Sequence, residues 1–395
     1  MIPNNRRSRF YVWAILGLCV CSCVAVLGFW YKPGSLVLFW DQTYALRPAL
    51  SIQNAMLAWS PSHPFGSLST TVKAIIPLFA LEYVLRTIVH SQVLAQAVLF
   101  AFVLSSSLVG WFLAFRIVVD NTIRGRNLRS SSVVVGSICG AMLVVCGPYA
   151  IFYSWRIVST SIFLTDGLGW MFVVTYAVGV RCVGQRLQLL LYLMGFVFSA
   201  LALAVGLSNP LMFPVIVIPS LLFYVVIWDS VRAKAGVVVL LGSAVILQLW
   251  WLVPDILNVS SVQSGAAYGG SLSSLVANSS HLSMWNVFRL SGMLPAYQVG
   301  AIDPGLKVSQ AFTFSGAFWW VGILPLLLWI VVFLGFQGVS RFKRWTGIAL
   351  LCLSFILVQG AHRPFGIIYL WAFSHVPFFN GYRDPYLVSL AINLL

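Results

Sequence analysis

The sequence predicts an all-α, polytopic membrane protein, a helical bundle of about ten spans, the last of them incomplete, with amphipathic helices on the outer membrane surface. Of its 395 residues, 60% are hydrophobic and 8% are charged, and the mean hydropathy is +0.95. Apolar runs of about 20 residues recur along the chain, which is the length that an α-helix needs to cross a bilayer. So much apolar surface cannot be hidden in one aqueous core. We therefore expect a single membrane domain over residues 1–395.

The distribution of charge predicts the topology and excludes nucleic acid as a partner. The formal net charge is +15, but Lys and Arg separate the apolar runs and do not cluster on one amphipathic face. That pattern is typical of topology determinants in cytoplasmic loops. We expect Arg6, Arg7 and Arg9 inside, followed by an uncleaved signal anchor that spans the membrane near residues 10–30.

The next segments form the first outer loop, residues 31–91, and a span near 92–118 that returns the chain to the inside. This path leaves helix 72–90 outside the bilayer. Glu82, Arg86 and His90 recur every four residues along it, which favours an amphipathic helix on the outer surface with these three residues on a solvated face.

Seven further spans are predicted near 132–152, 163–180, 187–206, 211–228, 235–253, 318–337 and 345–360. The turns assigned to the inside are basic, whereas most acids fall on the outside: Asp41, Glu82, Asp166, Asp255, Asp303 and Asp384. A last span starts near Pro385 but reaches only Leu395, about half of a crossing, so we expect a C-terminal continuation.

The outer face is predicted to consist of loops 31–91, 254–317 and 360–384. Long loops without repeats are usually functional or disordered. We expect part of the second loop to form short helices on the membrane surface. Polar candidates for a site gather at the outer ends of the spans: Asp41, Gln42, Arg47, His63, Lys73, His281, Arg289, His362, Arg363, Arg383 and Asp384.

Motifs of soluble enzymes are absent from the sequence. It contains no glycine-rich phosphate loop, no HExxH and no nucleophile elbow. The seven cysteines fall within or beside apolar runs, without CxxC spacing or nearby histidines, and are interpreted as membrane-buried small hydrophobes. No metal ligands are assigned.

Three segments resemble the membrane domain of GT-C class glycosyltransferases, and most of all the actinobacterial arabinofuranosyltransferases of cell-wall arabinan assembly. They are FWDQTYALRPALSIQNAMLAWSPSHPFGS, QLWWLVP with the later SSHLSMWNVFRLSG, and PFFNGYRDPY. The resemblance follows the chain order over most of the sequence, although each motif is short and degenerate.

This resemblance implies a polyprenyl-phosphate-linked sugar donor, a glycan acceptor and a catalytic Asp in the first outer loop, close to the first span. Asp41 occupies that place. Many relatives carry a second acid a few positions later, where this chain has Gln42 and Ala45. That departure weakens the case for a metal bridged by two carboxylates, so no cofactor is assigned and a divalent metal stays open.

The residue chemistry leads to the same roles. Transfer from a lipid phosphate needs a base for the acceptor hydroxyl and cations for the departing phosphate. A partly dehydrated carboxylate such as Asp41 is the candidate base, and Arg383 is the preferred phosphate contact, ahead of Arg289, Lys73 and Arg363, because a guanidinium can give two parallel hydrogen bonds. The remaining candidate contacts to substrate are Gln42, Arg47, His63, His281 and Trp285.

Simpler interpretations stay open for each residue. Asp41 fits an ordinary interfacial carboxylate, and Arg383 with Asp384 fits an ion pair that anchors a span. For the whole chain, the main hypothesis is a glycosyltransferase of the cell membrane, multi-pass, embedded among membrane lipids, with its active site on the extracytoplasmic face. A transporter or flippase for a lipid-linked sugar is the alternative, and a non-catalytic scaffold is a third.

Overall fold

The computed structural model describes residues 47–56, 59–60, 67–68, 76–122, 130–146, 159–181, 186–207, 212–226, 230–250, 252–253, 272–280, 282–288 and 340–376, with the single positions 17, 20, 21, 25, 379 and 385. The all-α class is confirmed over these residues. Their one β element is a two-residue antiparallel ladder, in which Trp59 pairs with Leu68 and Ser60 with Ser67. The predicted spans near 10–30 and 318–337 lie wholly or mostly outside the described residues.

The chain divides into two compact units. The first contains α1 (Pro48–Met56), β1 (Trp59–Ser60), β2 (Ser67–Leu68), α2 (Ile76–Val89), α3 (Gln92–Thr122), α4 (Ser130–Cys146), α5 (Ser159–Arg181), α6 (Arg186–Gly206) and α8 (Val231–Ile246). The second contains α7 (Phe213–Val226), α9 (Leu272–Ser279), α10 (Met284–Phe288), α11 (Arg341–Gln359) and α12 (Gly366–His375).

Two described stretches, Gln92–Ile117 and Arg341–Gln359, are long and apolar enough to cross a membrane by length and composition. Shorter apolar helical stretches are Ile162–Ala177, Leu193–Gly206 and Val215–Val225. The multi-pass count of about ten spans stays a prediction.

Two helices of the first unit present apolar stripes to the outside. On α3 the exposed residues Leu94, Val98 and Phe102 are four apart, so they lie along one side of the helix. Leu193, Val197 and Leu201 repeat this spacing on α6, each about half exposed. Contiguous apolar surface of this kind normally meets a lipid or a protein partner.

Helix α5 is the centre of the first unit, where it packs against α3, α6 and α8. Glycines make two of these contacts close. A Cβ added to Gly169 would lie 3.1 Å from the backbone nitrogen of Trp111 on α3, and one added to Gly167 would lie 2.8 Å from that of Leu203 on α6. Small residues at helix crossings allow two backbones to approach in this way.

Tryptophan side chains complete the contact between α3 and α5. Trp111 is 2% exposed, and its Nε1 donates a 2.8 Å hydrogen bond to the carbonyl oxygen of Thr165. Its ring packs edge-on against Phe172, with centroids 5.6 Å apart. In return, Trp170 of α5 donates from Nε1 to the Ser106 hydroxyl of α3 at 2.8 Å.

The second unit is organised around α11, which overlaps the predicted span near 345–360. Helix α11 packs against α7 and α10, and the rings of Phe288 and Phe355 stack with centroids 6.1 Å apart. The hydroxyl of Ser279, at the end of α9, accepts a hydrogen bond from the backbone nitrogen of Ala361 at 3.0 Å. Helices α9 and α10 lie within the predicted loop 254–317, and α12 lies within 360–384, where no helix was predicted.

Replacing Gly206 with Ala tests the contact between α5 and α6. The new methyl would lie 2.7 Å from Cα and Cβ of Leu164, so backbones must separate, at a cost of about 1–3 kcal/mol. We expect a lower melting temperature for Gly206→Ala, measured by intrinsic fluorescence in detergent. Gly242→Ala is the matched control because nothing lies within 4 Å of its added Cβ, and its gain in helix propensity predicts unchanged or higher stability. Equal melting temperatures for both variants would contradict the packing of α5 on α6.

Replacing Trp111 with Phe tests the contact between α5 and α3. The substitution removes a buried hydrogen bond and leaves unfilled volume, which together cost about 1–3 kcal/mol. Denaturant titration of the purified protein should show this loss for Trp111→Phe. Trp345→Phe should leave stability close to that of the wild type, since Trp345 is 63% exposed. A larger loss in the exposed variant would count against a structural role for Trp111.

Candidate anion-binding pocket

An open pocket of about 520 Å³ lies between α1 and α2 in the first unit. We call it the cationic pocket, and its lining residues are Arg47, Pro48, Ala49, Leu50, Gln53, Tyr83, Arg86, Thr87 and His90. Three of these residues carry basic side chains and none is acidic. The pocket therefore suits an anion.

Helical spacing brings the α2 side of the pocket together. Tyr83, Arg86, Thr87 and His90 are three and four residues apart, which places them on one side of a helix. The Thr87 hydroxyl donates to the carbonyl oxygen of Tyr83 at 2.9 Å, so that donor faces its own helix. The guanidinium of Arg86 and the imidazole of His90 belong to exposed residues.

His90 also ends α2 and turns the chain into α3. Its backbone nitrogen donates to the carbonyl of Arg86 at 2.8 Å, and its φ of 56° lies in the left-handed region. Histidine is among the residues enriched in that region. Ser91 then begins α3, its hydroxyl accepting from the backbone nitrogen of Leu94 at 3.3 Å. This two-residue connection joins α2 to α3, which pack against each other. It therefore fixes the position of His90 at the edge of the pocket.

The opposite wall is the first turn of α1. The carbonyl of Arg47 accepts from the backbone nitrogen of Ser51 at 2.9 Å, so Arg47 immediately precedes the helix, with an exposed side chain. Pro48 follows at the first helical position, where its missing N–H removes no intrahelical hydrogen bond. Pro48, Ala49 and Leu50 give this wall an apolar edge. The arrangement can accept an amphiphile with an anionic head, since guanidinium groups match phosphate geometry.

The prediction that Glu82, Arg86 and His90 share a solvated face is wrong for Glu82. Arg86 and His90 are exposed, but Glu82 is 2% exposed and lies with Leu78 and Phe79 on the buried side of α2. A spacing of four residues advances about 40° beyond a full turn, because the helix has 3.6 residues per turn. Over two such steps the stripe drifts by about 80°, enough to carry it from the packed side to the open side.

A second correction concerns Asp166, which the topology placed among the acids facing the outer compartment. The structure places it inside α5, with 0% exposure. Neither carboxylate oxygen has a hydrogen-bond partner, although the Ser106 and Trp170 side chains lie close to it. The carboxylate is therefore a buried polar group of the helix bundle, separate from any outer surface.

Of the predicted site residues, four are described. Arg47 lies in the cationic pocket, and Trp285 lies on α10 in the second unit, 54% exposed. His362 and Arg363 lie in the turn between α11 and α12. The others lie outside the described residues: Asp41, Gln42, His63, Lys73, His281, Arg289, Arg383 and Asp384. The sequence analysis did not predict that Tyr83, Arg86 and His90 line a pocket, although the spacing of Arg86 and His90 was visible in the sequence.

A cluster of His, Cys, Asp or Glu side chains is the usual form of a transition-metal site, and the described part of the chain lacks one. There, no group of three or more His, Cys, Asp or Glu side chains could hold a metal ion. The possibility of a divalent metal at Asp41 stays open, since that position lies outside the described residues.

Comparison with known proteins identifies no relative: no family model, no curated protein and no solved structure matches this chain.

Proposed function

We propose that the protein is a membrane glycosyltransferase that moves a sugar from a polyprenyl-phosphate donor to a cell-envelope glycan on the extracytoplasmic face. The cationic pocket is the observation that carries this proposal. It offers basic side chains from both walls and an apolar edge in α1, which is the combination needed by a lipid that ends in a charged phosphate. The apolar stripes on α3 and α6 support a position in the membrane.

The pocket is also close in sequence to the candidate base. Asp41 precedes Arg47 by six residues, and six residues of fully extended chain reach at most about 22 Å. Asp41 therefore lies no further from Arg47 than about 22 Å, a distance comparable to the length of a lipid-linked sugar donor. By the resemblance described above, the sugar is arabinofuranose, and the donor is its polyprenyl phosphate.

The proposed reaction is a single displacement at the anomeric carbon. Asp41 accepts the proton of the acceptor hydroxyl while that oxygen forms a bond to the anomeric carbon. The bond from this carbon to the phosphate oxygen breaks, and its electron pair leaves with the polyprenyl phosphate. Arg47 and Arg86 stabilise the charge that develops on the departing phosphate. The configuration at the anomeric carbon is inverted.

Asp41→Asn tests the role of the base. A general base contributes about 10²–10⁴ to the rate, so we expect transfer to fall by at least about 100-fold, while binding of the donor is retained. The measurement is sugar transfer by purified protein in proteoliposomes, with labelled polyprenyl-phosphate arabinofuranose and an arabinan acceptor. Asp303→Asn, another acid of the predicted outer face, is the matched control and should keep full activity. Full activity in Asp41→Asn would remove Asp41 from the chemistry.

Arg47→Gln with Arg86→Gln tests the pocket. Hydrogen bonds to charged groups contribute about 1.5–3 kcal/mol each, so the double variant should bind a fluorescent polyprenyl phosphate at least about 10-fold more weakly. Binding of the corresponding uncharged polyprenol should not change. Arg232→Gln, an exposed Arg of the same unit that does not line the pocket, is the control. Equal weakening in the control would show a general charge effect, and unchanged affinity in the double variant would assign the phosphate to another site.

A transporter or flippase for a lipid-linked sugar is the second candidate, and Asp166 is the observation that favours it. Ionisable side chains buried within membrane helices commonly mark translocation pathways and proton relays. A flippase would use the cationic pocket to hold the same phosphate but would break no bond. Movement of a labelled lipid-linked sugar across vesicles without a glycosidic product would decide for this function.

A further inference from the structure

Asp166 lies among close helix contacts of the first unit. It lies on α5 directly before Gly167, where the backbones of α5 and α6 are in close contact, and three residues before Gly169, where α5 meets α3. Its side chain is fully buried. Solvent therefore does not hydrate this carboxylate in the folded protein.

The neighbouring polar groups do not satisfy the carboxylate. Neither of its oxygens meets the geometry of a hydrogen bond. Ser106 and Trp170 lie close by. The indole N–H of Trp170 is used in its bond to the Ser106 hydroxyl, whose own proton can still turn toward the carboxylate. Acceptor oxygens thus outnumber donor protons around Asp166.

No cationic side chain of the described helices packed on α5 faces Asp166. On α3 the one basic residue in the described side chains is Arg116. It lies five residues beyond Trp111, which bonds the carbonyl of Thr165, and hence about 7.5 Å further along the helix, and neither oxygen of Asp166 is bonded to it. On α8, Arg232 and Lys234 lie in the first turn, and Gly236 beside them contacts Thr175, about 13 Å along α5 from Asp166.

Helix α6 brings no cation to this level either. Its basic residue is Arg186, at the first position of the helix. The end of α6 near Asp166 is the opposite one, where Gly206, at the last position, contacts Leu164 of α5. The two ends of α6 are about 30 Å apart. The positive charge that a buried carboxylate requires is therefore not supplied by these helices.

We propose that Asp166, together with the hydroxyl of Ser106, forms a buried site for one monovalent cation taken from solution, either a proton or a sodium ion. Carboxylate and hydroxyl oxygens are hard donors that suit a sodium ion, and a proton would turn the carboxyl into a donor to a serine oxygen. A divalent ion would leave an excess positive charge beside a single carboxylate. The site holds whether the protein transfers or translocates a sugar.

Thermal unfolding of the purified full chain in detergent tests this site. Sodium chloride is exchanged for choline chloride at constant ionic strength, at several pH values. Because a ligand of the folded state stabilises it by mass action, the wild-type melting temperature should rise by about 2 °C for each tenfold increase of the bound cation beyond half-saturation. The cation is sodium if the rise follows sodium at fixed pH, and a proton if it follows acidification without sodium.

Asp166→Asn is the decisive variant. The amide keeps the size of the carboxyl but needs no counter-charge. If the bound cation is sodium, the melting temperature of the variant should not depend on sodium. If it is a proton, the melting temperature of the variant should lack the rise that the wild type shows as the pH falls. Glu82→Gln, which alters another buried acid of the same unit, is the control and should keep the dependence. If the wild type and Asp166→Asn respond identically to sodium and to pH, the site does not exist.

Ser106→Ala keeps the proposal testable if Asp166→Asn fails to fold. It retains the charge and removes one proposed ligand oxygen, so the midpoint of the sodium or proton dependence should shift by about fivefold in concentration. A carboxyl stretching band in the infrared spectrum, present in the wild type, would identify the proton as the bound cation. An unchanged midpoint in Ser106→Ala would overturn the site.

Discussion

The close approach of α5 to its neighbours is the constraint on which the described part of the first unit depends. Gly167 and Gly169 allow the backbone of α5 to contact those of α6 and α3, and Trp111 and Trp170 then form hydrogen bonds across the α3 contact. Larger residues at the two glycines would separate the helices. The close contact of these helices also excludes solvent from Asp166. The glycines of α5 therefore account both for the packing of the bundle and for the buried carboxylate.

Helix positions were largely predictable, because an apolar run in lipid has few alternatives to an α-helix that satisfies its own backbone hydrogen bonds. The predicted spans near 92–118, 163–180 and 187–206 correspond to α3, α5 and α6. Helix α12 was not predicted, since its ten residues are too few for a crossing and gave no amphipathic signal. The length of an apolar run therefore predicts long helices but not short ones such as α12.

The candidate site was less predictable, because it depends on contacts between separate helices. Periodicity places Arg86 and His90 on one side of α2 but does not say that the start of α1, with Arg47, faces them. It also cannot separate a buried acid from an exposed one at the edge of a stripe, which is why Glu82 was misplaced. Asp166 was expected to face solvent because the predicted topology puts it at the outer end of a span, whereas tertiary packing buries it.

The difference between an enzyme and a flippase lies in what the cationic pocket must do to the phosphate. A flippase must hold the phosphate during the whole translocation, and it needs no change in the strength of phosphate binding. An enzyme gains rate only if the cations bind the departing phosphate more strongly than the intact donor. Arg47 precedes one helix and Arg86 belongs to another, so the two guanidinium groups approach the pocket from opposite walls. In the proposed transfer, this pair would have to form its strongest hydrogen bonds with the oxygen where negative charge appears as the sugar leaves, whereas in a flippase the same pair would bind the phosphate equally at every stage.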